Sequence, residues 1–205
     1  MRYCSGDDAD RVWRVGVSGS YSDTRLVFSS GGGSVDASFA KYAIVASVDR
    51  RLGDRWTVGG GVGTTVTGNI DLNGVTSTVS PGPLGAITTS FRPLDEGAVA
   101  PFVLLSASMA ASLSWVASST LSAFDVRLGV AAGKTIADVV TPYLLARAFG
   151  GPVFWSIAGA SATGTDAYHY QVGGGVSVRL GRVDLVAEGV PLGERAVVVG
   201  AGLAL

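Results

Sequence analysis

The chain has 205 residues, of which 47% are hydrophobic and only 15% are charged, with a formal net charge of −1 and a mean hydropathy of +0.41. A soluble domain normally has about 25% charged residues, so this composition favours contact with an apolar solvent. The balanced charge leaves no basic surface for nucleic acid, and the single cysteine and single histidine argue against a disulfide or a zinc site. We therefore predict no nucleic-acid partner, no metal site and no cofactor.

The apolar stretches are too short to cross a membrane as helices. The longest are residues 98–105 and residues 196–205, whereas a spanning helix needs about 20 apolar residues. Backbone groups inside a membrane must be hydrogen-bonded within the protein, so the remaining spanning structure is a closed β-barrel. No linker divides the chain, and we predict one barrel domain over residues 12–205 behind a polar tail, residues 1–11.

The first three predicted strands alternate apolar residues with small or polar residues at a period of two, as strands of a membrane barrel do. The faces that we expect to meet lipid contain Trp13, Val15, Val17, Gly19 and Tyr21 in the first strand, Tyr42, Ile44, Ala46 and Val48 in the second, and Trp56, Val58, Gly60, Val62, Thr64 and Val66 in the third.

The pattern is less clear in two later strands. Residues 82–91 have no obvious lipid face, and residues 141–149 are disturbed by Pro142 and Arg147. The other strands alternate clearly; they are residues 105–115, 124–131, 168–180, 183–190 and 196–205. The sequence therefore predicts an all-β fold, a closed antiparallel up-and-down transmembrane β-barrel of about ten strands, with eight as the alternative count.

The connections between the predicted strands alternate in length. The short ones are residues 50–55, 92–97, 135–140 and 181–182, and the segments at the other end, mostly longer and rich in Gly, Ser and Thr, are residues 23–38, 68–81, 117–120 and 150–167. Membrane barrels have short periplasmic turns and longer outer loops. We therefore expect both termini on the periplasmic side and long loops outside.

Aromatic residues are expected to form a girdle at each membrane interface. The predicted girdle residues are Trp13, Trp56 and Phe102 near the periplasmic side, and Tyr21, Tyr42, Phe124, Tyr168 and Tyr170 near the outer side.

This architecture resembles the small outer-membrane β-barrel proteins of Gram-negative bacteria, the class of the OmpA- and OmpX-type barrels, over residues 12–205. Residues 196–205 are similar to the C-terminal assembly signal of that class, although the chain ends on Leu205 where the class usually has Phe or Trp. The resemblance implies a location in the bacterial outer membrane. It also implies contact with membrane lipids and lipopolysaccharide, and it leaves room for a protein partner in the envelope.

Charged residues on the opposite strand faces belong in the lumen, because an Arg or Lys facing lipid at mid-membrane costs about 2–4 kcal/mol. The predicted lumen charges are Arg14, Lys41, Asp49, Asp125, Arg127, Arg179, Asp184 and Glu188. Acids and bases balance, so they can pair across the lumen and close it; an open lumen would keep water beside them.

The sequence favours a structural or interaction role, through the outer loops or through envelope partners. The alternative is a narrow passive pore for small solutes. A second alternative is a barrel enzyme that hydrolyses lipids or peptides. The available residues for it are His169, with Thr165 and Asp166 close by in sequence, and Asp71. Because nothing in the sequence pairs His169 with a nucleophile, we expect no enzymatic activity.

Overall fold

The computed structural model describes residues 12–30, 33–117, 119–157 and 160–205. The predicted polar tail, which includes Cys4, lies outside these ranges. Within them the chain forms one antiparallel sheet that closes on itself. The strands are β1 (Trp13–Ser30), β2 (Gly33–Leu52), β3 (Trp56–Leu72), β4 (Val75–Ser80), β5 (Gly82–Leu94), β6 (Phe102–Val116), β7 (Ser119–Gly133), β8 (Val140–Gly150), β9 (Pro152–Ile157), β10 (Ala160–Asp166), β11 (Tyr170–Leu180), β12 (Val183–Gly193) and β13 (Arg195–Ala204).

These segments make ten barrel strands, because three of the ten are interrupted. Pro81 separates β4 from β5, Gly151 separates β8 from β9, and residues 167–169 separate β10 from β11. A Cβ at Gly151 would lie 1.8 Å from the carbonyl oxygen of Phe124, so only glycine fits there. The predicted all-β, up-and-down barrel of ten strands is confirmed. Across the described residues, no helix has the length and apolar character needed to span a membrane.

The barrel narrows along its axis. Both Trp13 and Ala204 lie at one end, which we call the lower end. The lower section is a ring of ten strands, β1, β2, β3, β5, β6, β7, β8, β11, β12 and β13. The β12–β13 hairpin ends at Glu194, and beyond it β10 pairs directly with β1, from Leu26 opposite Asp166 to Ser29 opposite Thr163. The upper section is therefore a ring of eight strands, β1, β2, β3, β4, β6, β7, β9 and β10.

The upper connections are not the long loops that the sequence predicts. Residues 23–38 and 68–81 continue as β-hairpins, and most of residues 150–167 form β9 and β10. The turn at Asn73 and Gly74 joins β3 to β4. These segments form sheet rather than loops, and their inward side chains build an apolar core.

The alternation of polarity inverts between the two sections. In the lower part of β1, Val15 and Val17 face outward and are exposed, while the small and polar residues face the lumen. In the upper part, Leu26 and Phe28 face inward and are almost fully buried, while Arg25 is exposed. The inward residues of the upper section form the main core, which we call the apolar plug: Leu26, Phe28, Ala37, Phe39, Ile70, Val79, Val116, Leu121, Val153 and Trp155.

One predicted girdle residue lies elsewhere. Phe102 is only 2% exposed and packs with Leu104 and Tyr143 inside the lower section. The period of two explains this, because the even-numbered residues of β6 face the lumen and Leu105 and Met109 face outward. The other girdle residues, Trp13, Tyr21, Tyr42, Trp56, Phe124, Tyr168 and Tyr170, are partly or largely exposed on the outer surface.

Candidate functional site

The apolar plug occupies the lumen of the upper section. Ile70 and Val79 have no exposed surface, and the rings of Phe28 and Trp155 lie with their centroids 5.5 Å apart. Gly164 makes room for Phe28, since a Cβ there would lie 2.7 Å from the ring. A barrel of eight strands has an interior just wide enough for side chains to fill. The plug therefore closes the upper end of the lumen.

A hydrogen-bonded charge network lies directly below the plug, where the β12–β13 hairpin ends. Arg127 donates to Asp125 and, over 3.3 Å and 3.4 Å, to Glu194 Oε2 and Gln171 Oε1. Gln171 Nε2 in turn donates to Glu194 Oε2 over 3.0 Å. Gln171 and Glu194 are buried. Burial of charges is tolerated only when they are paired in this way.

A second set of contacts continues this network downward. Arg147 donates from both terminal nitrogens to Glu188, over 2.7 Å and 2.9 Å, in the fork geometry that makes such pairs strong. Tyr143 Oη donates to Glu188 over 3.2 Å, and Arg147 reaches Gln171 over 3.5 Å. Together, Asp125, Arg127, Tyr143, Arg147, Gln171, Glu188 and Glu194 form what we call the middle network.

The lower end has its own cluster of charges. Asp184 forms ion pairs with Arg14 and Arg179, with N···O distances of 3.7 Å and 3.6 Å. Asp49 lies opposite Arg14 in the β1–β2 register. Lys41, by contrast, lies near the plug, with Nζ 5.4 Å from the centroid of the Phe39 ring. All eight predicted lumen residues thus lie on inward strand faces, but at different heights along the barrel axis.

Four members of the middle network are absent from the charges predicted for the lumen: Tyr143, Arg147, Gln171 and Glu194. In the sequence Arg147 shows only as a disturbance in a weak strand, although it occupies an inward position of β8, two residues after Leu145. Gln171 follows the same alternation in β11. Glu194 could not be found by alternation because it lies between strands, and it faces inward only because the hairpin ends there.

The lower section encloses a cavity of about 380 Å³. One side is built from small residues of β1, β2, β3 and β5, and the other side from Tyr143, Arg147 and Glu188. Gly175 leaves room for the Tyr143 side chain next to β11, because a Cβ there would be 2.6 Å from Tyr143 Oη. The cavity extends downward to Val12 and Arg51, next to the lower rim. The small residues along its first side are Gly16, Ser18, Ser47, Gly60, Gly61, Ala86 and Thr88.

The residues named for an enzyme are not brought together. Asp166 Oδ1 accepts a hydrogen bond from Thr24 over 3.0 Å, and the side chain of His169 is exposed. Asp71 accepts hydrogen bonds from Gly74 and Thr76 in its own hairpin. The strands that carry Asp71 and Asp166 are separated by β1 and β2.

The outer surface of the lower section is an apolar belt. Across the described residues, the outward positions of this section hold three charged residues: Arg50 near the lower rim, and Asp23 and Arg195 opposite one another near the upper limit. The belt between them consists of side chains such as Val62 and Leu128. Soluble monomers rarely expose a continuous apolar surface of this kind, which matches a lipid-facing surface.

Comparisons with known proteins agree with this architecture. No protein-family model and no curated protein matches the chain. Among solved structures, the outer membrane protease OmpT from Escherichia coli matches with a TM-score of 0.58 at 10% identity, over 96% of this chain and 97% of that chain. The outer membrane protein OprG from Pseudomonas aeruginosa matches with a TM-score of 0.53 at 8% identity, over 95% and 96%. The beta domain of the Bordetella autotransporter BrkA matches with a TM-score of 0.51 at 11% identity, over 96% and 100%. The chain therefore has the fold of the outer-membrane β-barrels.

Proposed function

We propose that the protein is an integral barrel of the bacterial outer membrane that does not conduct solutes and acts as a structural or interaction protein. The observation that carries this proposal is the apolar plug. A conducting lumen needs a continuous polar path, whereas the plug fills the upper section with buried side chains such as Ile70 and Val79. The predicted charge pairs lie below the plug and add a second closure.

The shape of the barrel supports an interaction role. The last strand, β13, has 10 residues, which is the length that a tilted strand needs to cross a membrane. β1 and β2 have 18 and 20 residues and extend well beyond that length. The upper section therefore projects beyond the apolar belt as a rigid eight-stranded barrel segment with a polar outer surface. A rigid surface outside the lipid is suited to holding a partner with little loss of conformational freedom.

The same geometry supports a proposal for the molecules that contact the barrel and for its orientation in the membrane. Membrane lipids and lipopolysaccharide would contact the belt and its upper limit, and an envelope protein would contact the upper section or the lower rim. We place both termini on the periplasmic side, because the lower connections are short and the upper section projects. Catalysis forms no part of the proposal, since His169, Asp166 and Asp71 have separate surroundings.

Single-channel conductance of the purified, refolded protein in a planar bilayer tests the closed lumen. We expect the unmodified protein to be silent. A Leu26→Ala, Ile70→Ala, Trp155→Ala variant should conduct, since it removes three large side chains of the plug. An Arg14→Ala, Arg179→Ala variant should stay silent, because it opens only the lower end.

Two results would contradict this proposal in different ways. Steady conductance from the unmodified protein would make the narrow passive pore the primary function, with the lower cavity as part of its path. Conductance from the Arg14→Ala, Arg179→Ala variant alone would mean that charge pairs, and not the plug, close the lumen. Far-UV circular dichroism of each variant provides the control for folding.

A further inference from the structure

Two neighbouring charged residues of the lower lumen turn away from each other. Arg14 in β1 lies opposite Asp49 in β2. A Cβ at Gly202 would overlap the guanidinium of Arg14, which therefore lies over β13, where it pairs with Asp184. A Cβ at Gly59 would overlap the carboxylate of Asp49, which therefore lies over β3. Because β13 and β3 are on opposite sides of the β1–β2 pair, the two side chains diverge.

This divergence leaves the Asp49 carboxylate open to the lower cavity, whose wall includes it. Among the described residues, Asp49 forms no ion pair and no hydrogen bond. Other charged residues of the same wall are directed to partners: Arg147 donates to Glu188 over 2.7 Å, and Arg51 Nε donates to the carbonyl oxygen of Gly53 over 3.0 Å. An ionised carboxylate only accepts hydrogen bonds. The cavity wall therefore presents an acceptor that a donor group of a ligand can use.

Hydroxyl groups flank this carboxylate. The strand register places Thr88 opposite Gly59, and Ser47 is the next inward residue above Asp49 in β2. Within the described part of the chain, five hydroxyl side chains line the cavity and form no hydrogen bond of their own: Ser18, Ser47, Thr57, Thr88 and Ser90. Each of these groups can donate or accept a hydrogen bond. This part of the wall is therefore suited to a ligand with several hydroxyl groups.

Apolar side chains contribute another part of the wall. Val186 and Val198 line the cavity from β12 and β13. Val45 lies over Gly61, where a Cβ would be 2.8 Å from Val45 Cγ1. A cyclic polyol has C–H groups on the faces of its ring and hydroxyl groups at the edge, so it matches both kinds of surface. The cavity volume of about 380 Å³ is within the range of small-molecule sites.

The charges of the wall disfavour charged ligands of either sign. Arg14, Arg51 and Arg147 line the cavity and repel a cation. Asp49 and Glu188 line the same cavity and repel an anion. The group that binds the Asp49 carboxylate is therefore an uncharged hydrogen-bond donor.

We propose that the lower cavity binds a small uncharged polyol, with Asp49 accepting hydrogen bonds from two neighbouring hydroxyl groups of the ligand. The serine and threonine side chains bind its other hydroxyl groups, and its C–H face packs on the valines. The middle network and the plug close the cavity above, so the ligand enters and leaves at the lower end. The site does not depend on the role proposed for the upper section, and it requires no conduction.

Isothermal titration calorimetry of the full chain tests the proposal, in a detergent without a sugar headgroup. Glucose and myo-inositol are the neutral probes, and glucosamine and glucuronate are the cationic and anionic counterparts of glucose. We expect the neutral probes to bind with an affinity that does not change with salt, because neither carries a charge. Both charged probes should bind at least tenfold more weakly than glucose. If neither neutral probe binds, the proposal fails.

Three variants locate the ligand. Asp49→Asn should weaken binding of the neutral probes about tenfold, since it removes a charged hydrogen-bond acceptor. It should leave thermal unfolding unchanged, because Asp49 has no partner among the described residues. Asp138→Asn is the matched control in an exposed lower turn outside the cavity, with a φ of 57° that asparagine also adopts, and it should bind normally. Ala86→Leu adds side-chain volume inside the cavity and should abolish binding.

The variants and the charged probes can each overturn the proposal. Tighter binding of glucosamine or glucuronate than of glucose would mean that the site selects a charge. Equal affinities of Asp49→Asn and Asp138→Asn for the neutral probes would show that the Asp49 carboxylate does not bind them. Unchanged binding to Ala86→Leu would place the ligand outside the cavity.

Discussion

The indole of Trp155 in β9 lies against the ring of Phe28 in β1, with ring planes at 58° and centroids 5.5 Å apart. The two strands are not neighbours, because β10 lies between them. The two rings therefore meet over β10 on the inner face of the sheet, where Gly164 leaves room for Phe28. Contacts of this kind make the upper section a closed, packed core with its polar side chains outside, like a small soluble barrel attached to a membrane barrel.

Truncating the plug should destabilise the whole barrel. Phe28→Ala removes a ring that is 4% exposed and packs on both Trp155 and Gly164, so the free energy of unfolding should fall by about 3–5 kcal/mol. Urea unfolding in phospholipid vesicles, followed by Trp fluorescence, measures this. Val75→Ala, at a position exposed in the β3–β4 hairpin, should change it little. Equal effects of the two variants would mean that the plug is not a core.

The ten strands could be predicted from the sequence because their alternation is long and regular, as in Trp13 to Tyr21. The upper section could not be predicted by the same reasoning. The composition of residues 23–38 and 150–167 is that of loops, since small and hydroxyl residues cover their outer face. The informative signal is the type of residue on the inward face of β1. That face holds Ser18 and Ser20 in the lower section and Leu26 and Phe28 in the upper section. That exchange of apolar and polar faces indicates where the strand leaves the lipid.

The exchange of apolar and polar faces also predicts where a charged side chain is tolerated on the outer surface. Val62 is 70% exposed in the middle of the apolar belt, so Val62→Arg should lower the free energy of unfolding by about 2–4 kcal/mol. Thr78 is an exposed residue of β4 in the upper section, and Thr78→Arg should have an effect below about 1 kcal/mol. Urea titrations in vesicles compare the two. Equal costs would place the upper section inside the lipid.

The middle network should behave as one energetic unit. Glu194→Ala removes a buried carboxylate that pairs with Arg127 and accepts a hydrogen bond from Gln171, and it should cost about 3 kcal/mol of unfolding free energy. Adding Arg127→Ala should cost less than the two single changes combined, by about 1 kcal/mol or more. A double-mutant cycle from equilibrium unfolding provides the coupling energy. Additive costs would show that the two side chains contribute independently.

Orientation can be tested by labelling two exposed positions at opposite ends of the barrel. In a Cys4→Ser background, Val75→Cys reports on the upper section and Asp54→Cys on the lower rim. A maleimide that cannot cross the outer membrane should label Val75→Cys in intact cells, and should label Asp54→Cys only after lysis. Labelling of Asp54→Cys alone in intact cells would reverse the proposed orientation.

Two glycines on neighbouring strands separate the effect of the lumen from that of the lipid face. Gly175 is inward, and a Cβ there would lie 2.6 Å from Tyr143 Oη and from the carbonyl oxygen of Ala187. Gly175→Ala must therefore displace Tyr143, which donates to Glu188, and should lower the free energy of unfolding by about 1–3 kcal/mol.

Gly189 faces outward, and a Cβ added there would have no atom within 4 Å, so Gly189→Ala should be neutral or stabilise by up to about 1 kcal/mol. Both variants add the same methyl group. The opposite changes in unfolding free energy that we expect from urea titrations therefore depend on whether the methyl group faces the lumen or the lipid. A loss for both would mean that the backbone of these strands, and not the packing of Tyr143, requires glycine.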